Sequence, residues 1–300
     1  MKRFLIFTIK ILLLTFFVLV VLDLVYTKVY LESSNRGKIG YVYNSKARIY
    51  DVVILGSSRA NNHFVAPMFE NKGLKAFNYG MSGGHLFEAS LLLKLMIERK
   101  YEIKNVILEA DLNLSNEKES ESVASKFLPY IHNSEVIASH FAQQPDFWAL
   151  YYIPFYRYIA FEPGIGFREM YDAAREKPTN LLDHLGYYPL GKNPNANMKN
   201  DLTHLKPLHN KYYEEIKHLC KVNHINLIAV MTPMCSNTKG LDYFEKVHQM
   251  YPEIHNYEKA VEGDQYFSSC GHMNDAGARK FTATILKDFF NEAKGIYKVK

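Results

Sequence analysis

Three runs of branched apolar residues constrain this chain most: DVVILG (51–56), KNVILEADL (104–112) and INLIAVMTP (225–233). Each is nearly continuous in Val, Ile and Leu instead of alternating with polar residues. That is the pattern of strands buried on both faces of a parallel sheet. The intervening stretches read as helices: NHFVAPMFENKG (62–73), EASLLLKLMIERK (88–100), KYYEEIKHLCKVN (211–223) and the amphipathic DAGARKFTATILKDFFNEAKG (275–295), with one more short run at LKAFNYG (74–80). Apolar runs alternating with helices predict βαβ units and an α/β, doubly wound parallel sheet. A chain of 300 residues, 48% of them hydrophobic, can bury the core that such a sheet needs.

The N-terminus does not fit this rhythm. Lys2 and Arg3 precede an apolar run from Phe4 to Leu22, interrupted only by Thr8, Lys10 and Thr15. A helix of about 20 residues spans the roughly 30 Å hydrocarbon core of a bilayer, and Lys10 lies near enough to one end to snorkel. The reading is a single-pass anchor at 1–27 (membrane segment 4–27), a linker at 28–48 and an α/β domain at 49–296. The basic flank predicts a cytoplasmic N-terminus with everything after about Tyr26 outside the cytoplasmic membrane. A cleaved signal peptide is the competing reading, but the following DLVYTKVYLESS has no A-x-A-like site.

Residues from about 115 to 207 form a partly helical insertion, since so long a stretch cannot be a structureless loop in a compact domain. It contains PDFWALYYIPFYRYIAFEPGIGF. These aromatics are expected to pack as core; lining a sugar or acyl groove, or lying against the membrane surface, are the alternatives. Net charge is +5 without a basic run or aromatic-basic motif, so nucleic acid is not an expected partner. There is no H-E-x-x-H or C-x-x-C, and NYGMSGGH is not a dinucleotide fingerprint, so neither a metal nor a cofactor is expected. Cysteines number only three. Cys235, after an apolar run, and Cys270, two residues before His272, are placed to bridge at one sheet edge; three free, mostly buried thiols are the alternative.

The chemistry collects where the apolar runs end. In open α/β sheets ligands bind outside the carboxyl ends of the strands, and Gly56-Ser57-Ser58-Arg59 stands at such an end. A serine there can expose its hydroxyl and offer its N–H to a developing oxyanion. It can also simply cap the next helix. The next run ends in Asn78-Tyr79-Gly80-Met81-Ser82-Gly83-Gly84, whose glycines let backbone N–H groups approach a ligand, and the third in Glu109-Ala110-Asp111-Leu112-Asn113. Late in the chain, Gly271-His272-Met273-Asn274-Asp275-Ala276-Gly277-Ala278 sets a histidine before the last helix. Nucleophile, oxyanion glycine, polar third loop and late histidine in this order are what acyl-ester chemistry requires.

In these motifs, over roughly residues 50–113 and 225–292, the sequence resembles the SGNH (GDSL-like) hydrolase superfamily. It is most similar to membrane-anchored members with a G-S-S block that serve cell-envelope polymers. The resemblance implies a flavodoxin-like sheet, Ser58 as nucleophile, His272 as base, and Gly83 with the Ser58 N–H at the oxyanion. It implies an esterase, deacetylase or O-acyltransferase acting on envelope polysaccharide, with a membrane-bound acyltransferase as a partner; a catalytically weak module that binds glycan is the rival. Two positions depart from the family's pattern. VILEADLN has no G-x-N-D match, leaving Asp111 or Asn113 as third oxyanion contributor. The usual Asp three residues before the histidine is Ser269, leaving Asp264 or a backbone carbonyl to orient the imidazole. Asn78 and Arg59 are expected among the substrate-binding residues, although Arg59 is expected first to pair with a carboxylate beneath the site. His63 and His85 are expected to be solvated neighbours of the pocket.

Overall fold

A computed structural model describes residues 1–192 and 198–291, which divide into two compact units. The last four residues expected in the closing helix, 292–295, lie outside the described residues.

One unit comprises Met1–Arg48, Leu91–Tyr101 and Ser120–Thr179. Its first element, α1 (Lys2–Glu32), is longer than expected and takes in the start of the anticipated linker. Its apolar side chains from Phe4 to Val18 are mostly exposed, whereas Tyr26 and Tyr30 are buried. The helix is long and apolar enough to cross a membrane, a test that a membrane anchor and a signal sequence both pass. Residues 120–179, the aromatic part of the expected insertion, therefore form a unit with the N-terminal segment.

The other unit, Ile49–Ser90, Glu102–Glu119 and Asn180–Lys300, carries the sheet. Its strands are β1 (Ile49–Leu55), β2 (Ala76–Asn78), β3 (Glu102–Glu109), β4 (Asn226–Met231) and β5 (His255–Asn256). All four pairings are parallel, and the spatial order is β2-β1-β3-β4-β5. This 2-1-3-4-5 order is consistent with the flavodoxin-like arrangement, whose ligand crevice opens between β1 and β3, where the winding reverses. Because side chains alternate across a strand, Val52, Ile54, Ile107, Ile228 and Val230 share one core cluster with Phe64, Phe281 and Ile285 from outside the sheet. Val53, Leu55, Val106 and Leu108, facing the other way, are equally buried. The continuous apolar runs are thus explained by burial on both faces.

Helices flank these strands: α2 (Ser58–His63) directly after β1, α3 (Lys211–Val222) before β4, and α4 (Asp275–Phe289), which packs against α2. Asn274 caps α4, its side chain accepting the Gly277 N–H at 3.1 Å. Gly277 is needed for close approach: a Cβ there would sit 2.2 Å from the Tyr266 carbonyl oxygen. The asparagine and glycine that follow His272 therefore fix how the last helix begins.

Candidate active site

Ser58 and His272 are brought together at the mouth of the β1–β3 crevice. Ser58 Oγ lies 2.8 Å from His272 Nε2 although 214 residues separate them. The chain leaves β1 through Gly56 and starts α2 at Ser58, so the Ser58 N–H is in the first turn and has no intrahelical acceptor. His272 belongs to a two-stranded antiparallel ribbon in which its register partner is Ser269. That pairing puts Ser269 Oγ 3.1 Å from His272 Nδ1. For Nε2 to accept the Ser58 proton, Nδ1 must carry the ring hydrogen and donate it to Ser269.

The position where the resembled family carries Asp is thus occupied by a hydroxyl that reaches the same nitrogen. Asp264 does not serve the imidazole: its Oδ1 accepts a bond from Ser236 at 2.9 Å. Burial first, and then the nearby Arg59 charge, lower the His272 pKa, against a smaller opposing pull from Asp111. The ring is neutral at neutral pH and able to accept a proton.

Ser57 and Ser58 have separate uses. Ser57 points below the turn, where its N–H (2.8 Å) and hydroxyl (2.6 Å) both donate to Oε2 of the fully buried Glu109, and its Oγ accepts the Arg59 N–H. Arg59 is 3% exposed and is among the residues that line the cavity beside Ser58 and His272. Its Nε donates to Asp111 Oδ2 at 2.9 Å, Nη1 to the Gly271 carbonyl and Met234 Sδ, and Nη2 to the Thr232 and Pro233 carbonyls. All five guanidinium donors are engaged, so Arg59 carries the expected structural pairing and has no donor left over for a substrate group.

Asp111 is also fully buried, which removes it from the oxyanion candidates. Its Oδ2 accepts from Arg59, the Thr232 N–H and the Thr232 hydroxyl, and its Oδ1 from the Leu112 N–H. Arg59 and these donors hold its pKa below the usual carboxylate value despite burial. Burial and the Asp111 charge push the neighbouring Glu109 carboxyl up to about 8.

His63, expected to be solvated, is fully buried. Its Nε2 accepts the Met273 N–H at 3.0 Å, so its Nδ1 is the protonated nitrogen and donates to Thr232 Oγ1 at 3.0 Å. The Thr232 hydroxyl in turn donates to Asp111. The residues on either side of His272 are therefore both tethered from α2: Gly271 by Arg59 and Met273 by His63. Both tethers converge on Asp111 Oδ2. Glu109, Thr232 and His63 had no motif to announce them; the only signal was that Glu109 and Asp111 end an apolar strand run.

Asn78 is fully buried and tied into the backbone, which excludes it from substrate contact. Its amide donates to the Ala60 and Phe64 carbonyls at the end of α2 and its Oδ1 accepts the Gly80 N–H. Gly83 has φ +79° with open space where a Cβ would go, so glycine is required by conformation and not by crowding. Ser58, Gly83, Asn113, His85, Lys199 and His272 line a cavity of about 450 Å³. His85 is held at its edge by the Lys118 carbonyl, 3.0 Å from Nδ1. Cys235 and Cys270 are bonded, joining the loop after β4 to the turn that carries His272.

No family model matches the sequence, and no curated protein matches it. Among solved structures, one described as "a putative platelet activating factor from Streptococcus pneumonia" is similar over 94% of this chain and 98% of its own, at 10% identity and a TM-score of 0.38.

Proposed function

We propose that this protein carries out serine-dependent acyl-ester chemistry, as an esterase, deacetylase or O-acyltransferase of the SGNH type. The observation that carries this reading is the 2.8 Å approach of Ser58 Oγ to His272 Nε2 over an open cavity. His272 Nε2 takes the Ser58 proton as Oγ attacks the acyl carbon, forming the C–O bond while the carbonyl π electrons move to the oxygen. The N–H groups of Ser58 and Gly83 receive that oxyanion, and the Asn113 side chain, 8% exposed at the rim, is the third candidate donor. His272 then returns the proton to the departing alcohol. Water or a second hydroxyl takes the acyl group from Ser58 by the reverse sequence.

α1 supports an anchor in the cytoplasmic membrane with the catalytic unit on the extracytoplasmic side. The Cys235–Cys270 bond agrees with this, because disulfides persist in oxidising compartments. An acylated envelope polysaccharide is the substrate class this location favours, with a membrane-bound acyltransferase as the source or recipient of acyl groups.

The test is labelling of the full-length protein with a fluorophosphonate probe. Labelling in the wild type that disappears in Ser58→Ala, persists in Ser57→Ala and weakens in His272→Ala is expected. A folded wild type that never labels would overturn the enzymatic reading in favour of a glycan-binding module, which the hydroxyl in place of a carboxylate at Nδ1 would then explain.

A further inference from the structure

Within the unit built on α1, charge and aromatic side chains meet where the apolar helix ends. The apolar run from Phe4 to Leu22 closes at Asp23. That carboxylate is held by Arg157 Nη2 at 2.9 Å and by the Phe155 N–H at 2.7 Å. Arg157 is 1% exposed, and it also donates to Thr27 one turn further along α1. The Phe155 ring lies 4.8 Å from Tyr26, edge to face. Phe155 is thereby fixed beside α1 at the depth where a spanning helix would leave the hydrocarbon.

The segments on either side of Phe155 expose apolar surface. Trp148 and Tyr152 stand four residues apart on helix Phe147–Tyr152, one face of one turn, at 66% and 63% exposure, and Ile159 on helix Tyr156–Ala160 is 60% exposed. Isolated exposed apolar residues are ordinary on a protein surface, but Trp and Tyr clustered at the end of an apolar spanning helix match the aromatic belt of a membrane–water interface. A second exposed pair, Phe167 and Tyr171, lies on helix Phe167–Ala174, whose Glu169 is bonded to Arg36 beyond the C-terminal end of α1. From Asp23 to Glu32 alone α1 rises about 14 Å, so the helix that Glu169 ties to Arg36 is anchored further along the chain's exit from α1 than the Asp23–Arg157 pair.

We propose that Trp148, Tyr152 and Ile159 seat in the headgroup layer beside α1, so that the bilayer covers this face and holds the unit at fixed depth. The inference rests on the anchor reading of α1. An amphipathic ring at the interface keeps its apolar body out of water and its polar edge in it, and the Asp23–Arg157 pair marks the level at which polar groups begin.

Trp148 is the single tryptophan of the chain, so its emission reports directly. The full-length protein is reconstituted into phosphatidylcholine vesicles brominated either near the headgroup or near the chain end, and a Trp148→Phe/Phe167→Trp variant is prepared in parallel. Carbonate extraction is run on both. Expected are retention in the membrane, a blue-shifted Trp148 emission quenched most by the shallow bromines and little by aqueous iodide, and the reverse pattern for the tryptophan at 167. Retention with Trp148 quenched by iodide as readily as position 167 would overturn the belt while leaving the anchor standing. Equal bromine quenching at both positions would overturn the depth assignment, and extraction by carbonate would remove the anchor and the belt together.

Discussion

The crevice has two tiers, and their chemistry is opposite. The upper tier, Ser58, His272 and Ser269, holds three neutral groups connected by two hydrogen bonds and no carboxylate. The lower tier, Arg59, Glu109, Asp111, Thr232 and His63, is buried and holds the Arg59–Asp111 ion pair. Two adjacent serines divide between them, Ser57 downward to Glu109 and Ser58 outward to His272. In a Ser–His–Asp triad the carboxylate both positions the imidazole and stabilises its protonated form. Here the two jobs are split. Positioning passes through backbone groups on either side of His272, bonded by Arg59 and His63, while at Nδ1 a serine hydroxyl sets the tautomer without supplying charge.

If the tiers are divided in this way, the largest effects come from removing the proton relay or the hub. Ser58→Ala is expected to abolish fluorophosphonate labelling with little change in thermal unfolding, and Ser57→Ala to leave labelling in place. Asp111→Asn is expected to cost about 3–5 kcal/mol, because it leaves the buried Arg59 guanidinium without its counter-charge. Both tethers to the His272 turn also loosen, so labelling should fall in the fraction that still folds. A stable Asp111→Asn protein labelled at the wild-type rate would dissolve the distinction between the tiers.

His63→Gln is the narrower probe of positioning. A glutamine of suitable rotamer can accept the Met273 N–H or donate to Thr232, though not at both ideal positions. The expected result is a labelling rate lowered by about tenfold, a reasonable share of the 10²–10⁴ that a placed general base supplies. The pH dependence of labelling should be unchanged, since His272 keeps its charge environment. A shifted pH limb would mean that His63 acts electrostatically and not through the backbone.

Ser269→Asp adds to the upper tier the charge it lacks. Burial and Arg59 lower the wild-type His272 pKa below its ordinary 6.5, so the base form persists as pH falls and the acid limb of the rate lies below that value. A carboxylate on Nδ1 favours the imidazolium and moves the limb upward by about one unit. A stronger base should raise the plateau rate by about tenfold. Labelling rates between acidic and neutral pH measure both; an unmoved limb would show that the residue at 269 does not reach the ring in solution.

How much of this was open to inspection in the sequence follows from the same division. The upper tier lies where one element ends and the next begins, and Ser58 and His272, like Gly83 at the cavity wall, stand out in short motifs. The sheet was legible because burial on both faces demands continuous Val, Ile and Leu. The lower tier is assembled from a helix, two strand ends and a loop, and its members meet only through the 2-1-3-4-5 strand order. His63 reads as a loop histidine and Thr232 as the end of an apolar run; nothing local marks them as neighbours. Asn78 differs from its expected substrate role for a related reason, since a polar residue at a strand end suggests a ligand when its buried backbone partners cannot be seen, whereas the carboxylate expected beneath Arg59 is there as Asp111. Ser269 lay at the position to suspect, but its use depended on the ribbon register that sets it opposite His272.

The smallest expected effect distinguishes a charged lower tier from one that holds a proton. Glu109 is pushed up to about 8, from 4.5, by burial and by Asp111. A carboxyl whose folded pKa is raised contributes stability fully below its unfolded value and loses it as pH rises toward the folded one. The wild type should therefore forfeit stability between about pH 4.5 and 8 through this group. Glu109→Gln imitates the protonated acid: its oxygen can still accept the Ser57 N–H and hydroxyl, and its amide cannot ionise. Labelling at neutral pH should change by less than about threefold, within the range of a preserved hydrogen bond, while the advantage of the variant over wild type in thermal unfolding should grow as pH rises through that window. A difference between the two that stays constant with pH would mean that Glu109 is already ionised beneath Ser57, and that the lower tier holds two negative charges against one arginine.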